Sequence, residues 1–276
     1  LEGYDVAIAF RQDPADYYVV KYKTDAKRKV GFWHGDPDYM GDTSSWDSCL
    51  YDMDCIAGVS NAVCEKLERH FPKLQGKLYT VYNMFDKNKI IELAEEYKVD
   101  YPDSVYNIVT VSRLDFSAPK KHRRILEISK KLKNAGMAFH WTFVGDGEDR
   151  ISFNQLISEN GLDNEISIVG PQNNPYPYIK QADIFVLTST SESYGMVVME
   201  SLILGTPVVA GDYPALKEIL SDECGIRADN SVEGIYHGIK ELLDDKEKYK
   251  QIKEQCLKFD YLTDQTYQQF LNICGD

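Results

Sequence analysis

The amino-acid sequence predicts an α/β protein of two domains, each with a parallel β-sheet covered by helices on both faces. Short runs rich in Val and Ile alternate with amphipathic segments along the whole chain, and strands that are buried on both faces have this composition. The series of strand and helix patterns occurs twice, and the second series begins near Tyr101. A length of 276 residues suits two domains of about 100–200 residues each, and one large domain is the alternative.

The first series contains four apolar runs that predict strands, each followed by a polar loop or an amphipathic segment. A helix is predicted after Ser60 or Asn61, because either side chain can cap the helix and the apolar positions that follow recur at helical spacing. The segment 88–99 has a polar face and is predicted to be a helix that links the two halves. The predicted strands are 5–10, 29–36, 54–60 and 77–83, and the first predicted helix is 14–23.

The second series alternates strands and helices regularly. A helix over 122–136 has Ile125, Leu126, Ile128 and Leu132 on one side and Gly136 just past its end, which is typical of an amphipathic helix with a glycine cap. Two more helices are predicted to close the chain. The predicted strands are 106–114, 139–148, 165–170, 183–190 and 206–211, and the other helices are 150–162, 175–182, 195–205 and 214–220.

These patterns predict four segments. Residues 1–86 form a first Rossmann-like domain, and residues 87–100 form a linker helix. Residues 101–258 form a second Rossmann-like domain, and residues 259–276 form a C-terminal helix that can cross back to the first domain. In doubly wound sheets, ligands bind beyond the carboxyl ends of the strands, so the loops at these ends are the places to look for chemistry.

Composition excludes several classes of partner. The net charge of −13 disfavours binding to the phosphate backbone of a nucleic acid. No apolar run reaches the roughly 18–20 residues that cross a bilayer, and none of the six cysteines forms a C-x-x-C or zinc pattern. We therefore expect reduced thiols and a cytoplasmic location, with peripheral attachment at the inner membrane face as the alternative for a lipid-linked substrate.

Two glutamates follow the strand predicted over 183–190. Glu192 lies in the loop, and Glu200 lies one turn into a helix that is otherwise apolar. The helix begins near Gly195, where free amides and the positive end of the dipole favour an anion such as phosphate. A buried carboxylate needs hydrogen-bond donors, and the two hydroxyls of a ribose would supply them. The alternative is a solvated Glu192 and a Glu200 that is stabilised by the helix dipole.

Three other loops carry candidate residues. Arg113 follows a strand, and Lys120 and Lys121 precede the next helix, so these cations suit a diphosphate. A solvated basic surface is the alternative. The turn at Gly145 follows a strand and is predicted to expose backbone amides. His34 is interpreted as a base, as a hydrogen-bond donor to a sugar, or as a structural histidine.

Several motifs, in this order, resemble one family. They are VYNMFD (residues 81–86), VSRLDFSAPKK (111–121), FVGDGED (143–149) and the whole stretch from Ile166 to Leu220, which contains SESYGMVVMESLILGTPVVAG. Together they resemble the retaining, nucleotide-sugar-dependent glycosyltransferases of family 4, also called group 1, which have the GT-B fold. The resemblance begins near Tyr4 and is densest between Val109 and Leu220.

The resemblance implies a role for each candidate residue. Glu192 and His34 would contact the transferred sugar, Glu200 would hold the ribose, and Arg113 with Lys120 would neutralise the diphosphate. Lys120 lies seven residues after Arg113, which is two more than is usual in the family, and Lys121 is the alternative to Lys120. Backbone groups complete the expected donor site, at Gly145, Val169, Gly170, Tyr194, Gly195 and Met196.

The resemblance also implies an activity. We expect transfer of a hexose-type sugar from a nucleotide sugar to a saccharide or lipid-linked glycan, with UDP as the nucleotide and GDP or ADP as alternatives. We expect no metal and no cofactor, and we interpret the D-x-D spelling at 36–38 as a turn around Pro37. The family's amino-terminal domain opens with a strand and a Gly-rich loop that precede the part resembled here. An incomplete first domain is therefore expected, and a non-catalytic subunit that a protein partner completes is the alternative function.

Overall fold

The computed structural model describes residues 1–41, 46–117, 119–259 and 263–275, without the side chains of residues 47, 48 and 263. Parts of the predicted first domain (42–45), second domain (118) and C-terminal helix (260–262 and 276) lie outside the described residues. The described residues form two compact units. The first contains 1–85, 192–194 and 263–275, and the second contains the remainder.

The first unit has a four-stranded parallel sheet in the order β1-β2-β3-β4. Ser60 caps helix α3, because its Oγ accepts a hydrogen bond of 3.1 Å from the Val63 N–H. The strands are β1 (Val6–Ala9), β2 (Arg28–Trp33), β3 (Cys55–Gly58) and β4 (Leu78–Thr80), and the helices are α1 (Pro14–Lys23), α2 (Asp47–Leu50), α3 (Asn61–His70) and α12 (Thr263–Cys274), with 3-10 turns at Pro37–Tyr39 and Pro72–Leu74.

Helix α12 supplies part of the core of the first unit. Ile273 is buried against Val30, Phe32, Cys55 and other apolar side chains of the sheet. The Arg28 Nε donates a hydrogen bond of 2.5 Å to the Ile273 carbonyl, which fixes the end of the helix against β2. The chain therefore returns to its first sheet after the whole second unit.

The second unit has a six-stranded sheet in the order β10-β9-β8-β5-β6-β7, with every pair parallel. Counted from β5, this is the doubly wound order of dinucleotide-binding domains, with the topological switch point between β5 and β8. The strands are β5 (Tyr106–Val111), β6 (Phe139–Val144), β7 (Ile166–Gly170), β8 (Ile184–Leu187), β9 (Val208–Gly211) and β10 (Gly225–Ala228).

Eight helices flank the second sheet within the described ranges. Strand β10 and a third helix after it were absent from the sequence prediction, which gave two closing helices. Helix α4 ends at Ala94, earlier than predicted, because the following chain is held as a loop by the Val99 N–H, which donates 3.0 Å to the Gln181 side chain. The helices are α4 (Lys87–Ala94), α5 (Arg123–Asn134), α6 (Arg150–Glu159), α7 (Tyr176–Gln181), α8 (Met196–Ile203), α9 (Leu216–Ile219), α10 (Val232–Asp244) and α11 (Lys246–Leu257).

A buried polar chain crosses the centre of the second sheet. The Trp141 indole N–H on β6 donates 3.0 Å to the Thr110 hydroxyl on β5, and that hydroxyl donates 2.7 Å to the Val186 carbonyl on β8. Thr110 and Trp141 are fully buried. These bonds fix β5 and β8 beside each other, so the loops that leave their carboxyl ends start from a rigid platform.

Candidate functional site

The loop after β5 carries the first set of predicted residues. The Arg113 guanidinium is three-quarters exposed and lies 3.2 Å from the Asp115 carboxylate. The other carboxylate oxygen of Asp115 accepts hydrogen bonds from the Ser117 N–H at 2.8 Å and from the Ser117 hydroxyl at 2.6 Å. These donors and Arg113 lower the pKa of Asp115, so the loop keeps a charged carboxylate at its centre.

The loop after β5 is attached to the loop after β8. The Thr190 N–H donates 2.7 Å to the Pro119 carbonyl, and the Thr188 hydroxyl donates 3.3 Å to the Lys120 carbonyl. The backbone at Lys120 is therefore fixed beside the carboxyl end of β8. Lys121 has a left-handed φ of 54°, a conformation that normally belongs to Gly or Asn because a side chain there is strained.

The glycine turn after β6 packs against the same loop. A Cβ at Gly145 would lie 1.9 Å from the Ser112 carbonyl oxygen, and a Cβ at Gly147 would lie 2.0 Å from that of Leu114. The prediction of exposed backbone amides is wrong at both glycines. The Gly145 N–H donates to the Gly170 carbonyl at 2.9 Å, and the Gly147 N–H donates to the Asp146 carboxylate at 2.9 Å. The glycines allow two backbones to approach each other closely.

The end of β7 lies next to this turn. Gly170 has a φ of 80°, and a Cβ there would meet the Arg150 guanidinium at 3.2 Å. The Val169 carbonyl accepts 3.3 Å from the Gln172 side chain. The carboxyl end of β7 thus lies beside the glycine turn after β6, and that turn packs against the loop that carries Arg113.

Helix α8 begins without a capping side chain. Its N-cap is Gly195, with a φ of 98°, and a Cβ there would lie 3.0 Å from the Ile219 side chain. Met196, the first helical residue, is exposed. Among the described residues no side chain caps this end, and a helix start whose first amides lack such a partner can receive an anion.

Glu200 lies on α8 and is half-buried. Burial raises its pKa to about 7, and a hydrogen bond from the Tyr176 hydroxyl on α7 acts in the opposite direction. Within the described part of the chain, no lysine or arginine pairs with this carboxylate. The carboxylate is therefore partly desolvated and has no counter-charge from the residues that the structure describes, which is costly for the fold.

The first unit holds the remaining predicted residues. Residues 192–194 group with this unit, and the Ser60 hydroxyl donates 2.6 Å to the Ser193 carbonyl. Tyr194 is buried, and its ring stacks on that of Phe85, with centroids 6.3 Å apart. Glu192 is half-buried in this segment. The side chain of Tyr194 thus anchors the segment that carries Glu192.

His34 follows β2 and is held by three groups. Its Nε2 donates 2.7 Å to the Phe10 carbonyl, and its ring stacks on Phe32 at 5.9 Å between centroids. The side-chain Oε1 of Gln12 accepts from the His34 backbone N–H at 2.9 Å and from the Gly35 N–H at 2.5 Å. With Nε2 bonded to a carbonyl, the neutral ring carries its proton there and keeps Nδ1 as an acceptor.

The D-x-D spelling forms the predicted turn. Asp36 caps the 3-10 helix Pro37–Tyr39 and is paired with Lys66 at 2.5 Å, and Asp38 is paired with Lys66 at 3.1 Å and with His70 at 2.9 Å. Both carboxylates therefore pair with basic side chains of α3. In the residues that the structure describes, no cluster of three or more His, Cys, Asp or Glu side chains could hold a metal ion.

Comparison with known proteins identifies the family. The model described as "Glycosyl transferases group 1" matches residues 95–259, which is more than half of the chain.

The chain belongs to the group 1 glycosyltransferases.

Two curated relatives illustrate the similarity of this group 1 chain to its family. An uncharacterized glycosyltransferase of Methanocaldococcus jannaschii is 29% identical over 168 residues, covering 58% of this chain and 40% of the relative. The N-acetylgalactosamine-N,N'-diacetylbacillosaminyl-diphospho-undecaprenol 4-alpha-N-acetylgalactosaminyltransferase of Campylobacter jejuni is 28% identical over 213 residues, covering 75% of this chain and 56% of the relative. The chain therefore spans about half the length of these relatives.

A solved structure confirms the predicted GT-B fold. A variant of TarM from S. aureus, in complex with fondaparinux, alpha-GlcNAc-glycerol and UDP, aligns with a TM-score of 0.78 at 17% identity, covering 98% of this chain and 55% of that chain. At this identity the similarity concerns the fold. No helix among the described residues of the group 1 chain is both long and apolar enough to span a membrane.

The predicted residues of this group 1 chain fall into two sets. One set lies at the carboxyl edge of the second sheet, and the other lies in the first unit. The first set is Arg113, Lys120, Lys121, Gly145, Val169, Gly170, Gly195, Met196 and Glu200, and the second set is His34, Glu192 and Tyr194.

Sequence reasoning missed residues that support the loops. The Arg124 guanidinium donates 3.2 Å to the Thr188 carbonyl and 2.7 Å to the Asn230 side chain, and the Asn230 amide donates 3.2 Å to the Thr190 carbonyl. These bonds attach the loop after β8 to Arg124 and Asn230. Arg124 was part of a basic run with no other distinguishing signal, and Asn230 follows the unpredicted strand β10.

Proposed function

We propose that this protein is a retaining glycosyltransferase that transfers a hexose-type sugar from a UDP-sugar to a saccharide or lipid-linked acceptor. Glu200 carries the proposal, because it is a partly desolvated carboxylate with Tyr176 as a neutral partner and with no cation paired to it among the described residues. Ribose hydroxyls would give it the donors that it lacks. The names of relatives and the UDP in the TarM complex support the nucleotide and the acceptor class.

The other residues receive roles consistent with their positions. Arg113 and Lys120 would neutralise the diphosphate, together with the uncapped amides at Gly195 and Met196. Gly145, Val169 and Gly170 would line the nucleotide with their backbone, and Tyr194 would anchor the loop. Glu192 and His34 would contact the transferred sugar, with Nδ1 of His34 as the acceptor. The cations and amides would replace a divalent metal in stabilising the leaving group.

A comparison of UDP with 2′-deoxy-UDP tests the role of Glu200. We expect the unmodified protein to bind UDP about tenfold more tightly than 2′-deoxy-UDP, because the missing hydroxyl leaves the carboxylate short of a donor. Glu200→Ala is expected to bind both nucleotides weakly and equally. Calorimetry measures all four affinities. Failure of the unmodified protein to bind UDP, GDP or ADP would sink the proposal.

Turnover tests the reaction class. A UDP-hexose, a panel of saccharide and lipid-linked acceptors and excess EDTA are combined, and NMR reports the anomeric configuration of the product. Transfer with retention in EDTA supports the proposal. Nucleotide binding without turnover favours a subunit that depends on a protein partner. Inversion of the anomeric configuration would contradict the retaining mechanism, and a metal requirement would contradict metal independence.

The two adjacent lysines are expected to differ. Lys120→Ala should weaken UDP binding by about tenfold or more, because a charge-assisted contact to the diphosphate is lost. Lys121→Gly should leave UDP affinity within about threefold, because Lys121 occupies a left-handed backbone position that glycine adopts without strain. Its free energy of unfolding should change by less than about 1 kcal/mol, since relief of strain offsets the added chain entropy. Equal losses of affinity, or a larger loss for Lys121→Gly, would contradict the assignment of the diphosphate contact to Lys120.

A further inference from the structure

His122 is a buried histidine directly before α5. Its exposed fraction is 0%. Its Nδ1 accepts a hydrogen bond of 3.0 Å from the Asp115 N–H. Since an amide can only donate, Nδ1 carries no proton, and the neutral ring bears its proton on Nε2. This Nε2 is buried without a hydrogen-bond partner in the described part of the protein.

A buried N–H without a partner is costly, so the imidazole needs a reason to occupy this place. The ring packs edge to face with Phe143, with centroids 4.9 Å apart, and an apolar ring would fill the same space without the orphan N–H. Among the described residues, the one hydrogen bond that the imidazole makes is with the Asp115 backbone N–H. Burial lowers the pKa of His122 to about 4, so Nδ1 stays an acceptor at neutral pH.

Asp115 connects this buried ring to an exposed cation. Its backbone is fixed by His122, and its carboxylate lies 3.2 Å from the Arg113 guanidinium. A second anchor supports the same loop, because the Asp149 carboxylate accepts 2.8 Å from the Phe116 N–H. Arg113 is three-quarters exposed, and a long exposed side chain explores many rotamers unless a partner restricts it.

We propose that His122 is a positioning residue that holds Asp115, and through it the Arg113 guanidinium, in place for the diphosphate of the donor. The inference rests on the proposed nucleotide-sugar function. His122 itself makes no contact with the nucleotide in this role, and a substitution of His122 affects only the binding of the phosphate end of the ligand. A residue that only stabilised the fold would affect every ligand of the second unit equally.

Two substitutions at His122 separate the acceptor from the shape of the ring. In His122→Asn, the amide oxygen stands at the same bond position as Nδ1 and can accept from the Asp115 N–H. In His122→Phe, the ring remains and the acceptor is lost. We expect UDP affinity within about threefold of the unmodified protein for the asparagine variant, and a loss of about tenfold or more for the phenylalanine variant.

Uridine is the second probe, because it lacks the diphosphate. Its affinity, measured by NMR titration, should change by less than about twofold in both variants. Ser129→Ala is the matched control, since Ser129 is a fully buried residue of α5 whose hydroxyl lacks a hydrogen-bond partner among the described residues. This variant should bind UDP and uridine as the unmodified protein does. Circular dichroism verifies that each variant is folded.

The outcomes separate the two proposals. An unmodified protein that binds no nucleotide removes the proposed function and this inference with it. If the unmodified protein binds UDP and His122→Phe binds it equally well, or loses uridine in the same proportion, the positioning role is wrong. Should His122→Phe fail to fold, Asp115→Ala removes the exposed link to Arg113 and must show the same selective loss of UDP affinity.

Discussion

Replacing Glu200 by glutamine is expected to make the nucleotide-free protein more stable at pH 8 while removing most of its affinity for UDP. Burial raises the pKa of Glu200 from 4.5 to about 7. A folded-state pKa above the unfolded-state value means that the protonated carboxyl suits the fold and the ionised one does not. Glutamine keeps an oxygen that can accept from the Tyr176 hydroxyl and never ionises.

The stabilisation should depend on pH in a defined direction. The native protein has its full stability from this group below about pH 4.5 and loses it as the pH rises through about 7. Glu200→Gln should therefore gain about 2 kcal/mol in the free energy of unfolding at pH 8, allowing for partial exposure, and less than about 1 kcal/mol at pH 5.

Urea unfolding at both pH values, followed by circular dichroism, measures this effect. Glu254→Gln is the control, since Glu254 is an exposed glutamate on α11 and its replacement should change stability by less than about 0.5 kcal/mol at either pH. A glutamine variant that is less stable at pH 8 would mean that the carboxylate is held by the fold for its own sake. Glu200 would then need no ligand to explain it.

Substituting alanine for Gly145 should be among the most destabilising single changes in the second unit. The φ of 144° is unfavourable for any side chain, and the added Cβ would lie 1.9 Å from the Ser112 carbonyl oxygen. Both partners are backbone at strand ends, so neither can rotate away. We expect a loss of more than about 3 kcal/mol in the free energy of unfolding, because the loop that carries Arg113 must separate from the turn.

Gly136→Ala separates the conformational cost from the steric one. Gly136 has a φ of 74°, and a Cβ there would meet nothing within 4 Å, so alanine should cost about 1–2 kcal/mol. Urea unfolding compares the two variants. If Gly145→Ala costs no more than Gly136→Ala, then the two loops can part easily and the turn does not position the loop after β5.

Local patterns were sufficient to predict most of the fold. Continuous Val and Ile runs predicted β5, β8 and β9 close to their observed positions, and Gly136 marked the end of α5. Strand β10 was missed because its four residues, Gly225–Ala228, include a glycine and an arginine. Such a strand depends on pairing with β9, and tertiary pairing is not visible in a short window of sequence.

The candidate site was less predictable than the fold. A motif places Arg113, Gly145 and Glu200 at strand ends, but hydrogen-bond partners come from distant parts of the chain. Tyr176, which bonds Glu200, precedes it by a whole strand and loop. The sequence predicted an exposed Gly145 amide, and in the structure this N–H donates to the Gly170 carbonyl. His122 lies in a basic run of the sequence, and its burial and its hydrogen bond from the Asp115 N–H are visible only in the structure.

The return of helix α12 to the first sheet affects how the polypeptide matures. Ile273 completes a core that Val30 and Phe32 begin, so these early strands emerge from the ribosome long before their covering helix exists. Until α12 is synthesised, the apolar face of these strands stays exposed to water and can associate with wrong partners. The intervening unit, by contrast, has nearly all of its own parts in one continuous run. It can therefore fold while the first sheet still waits for α12.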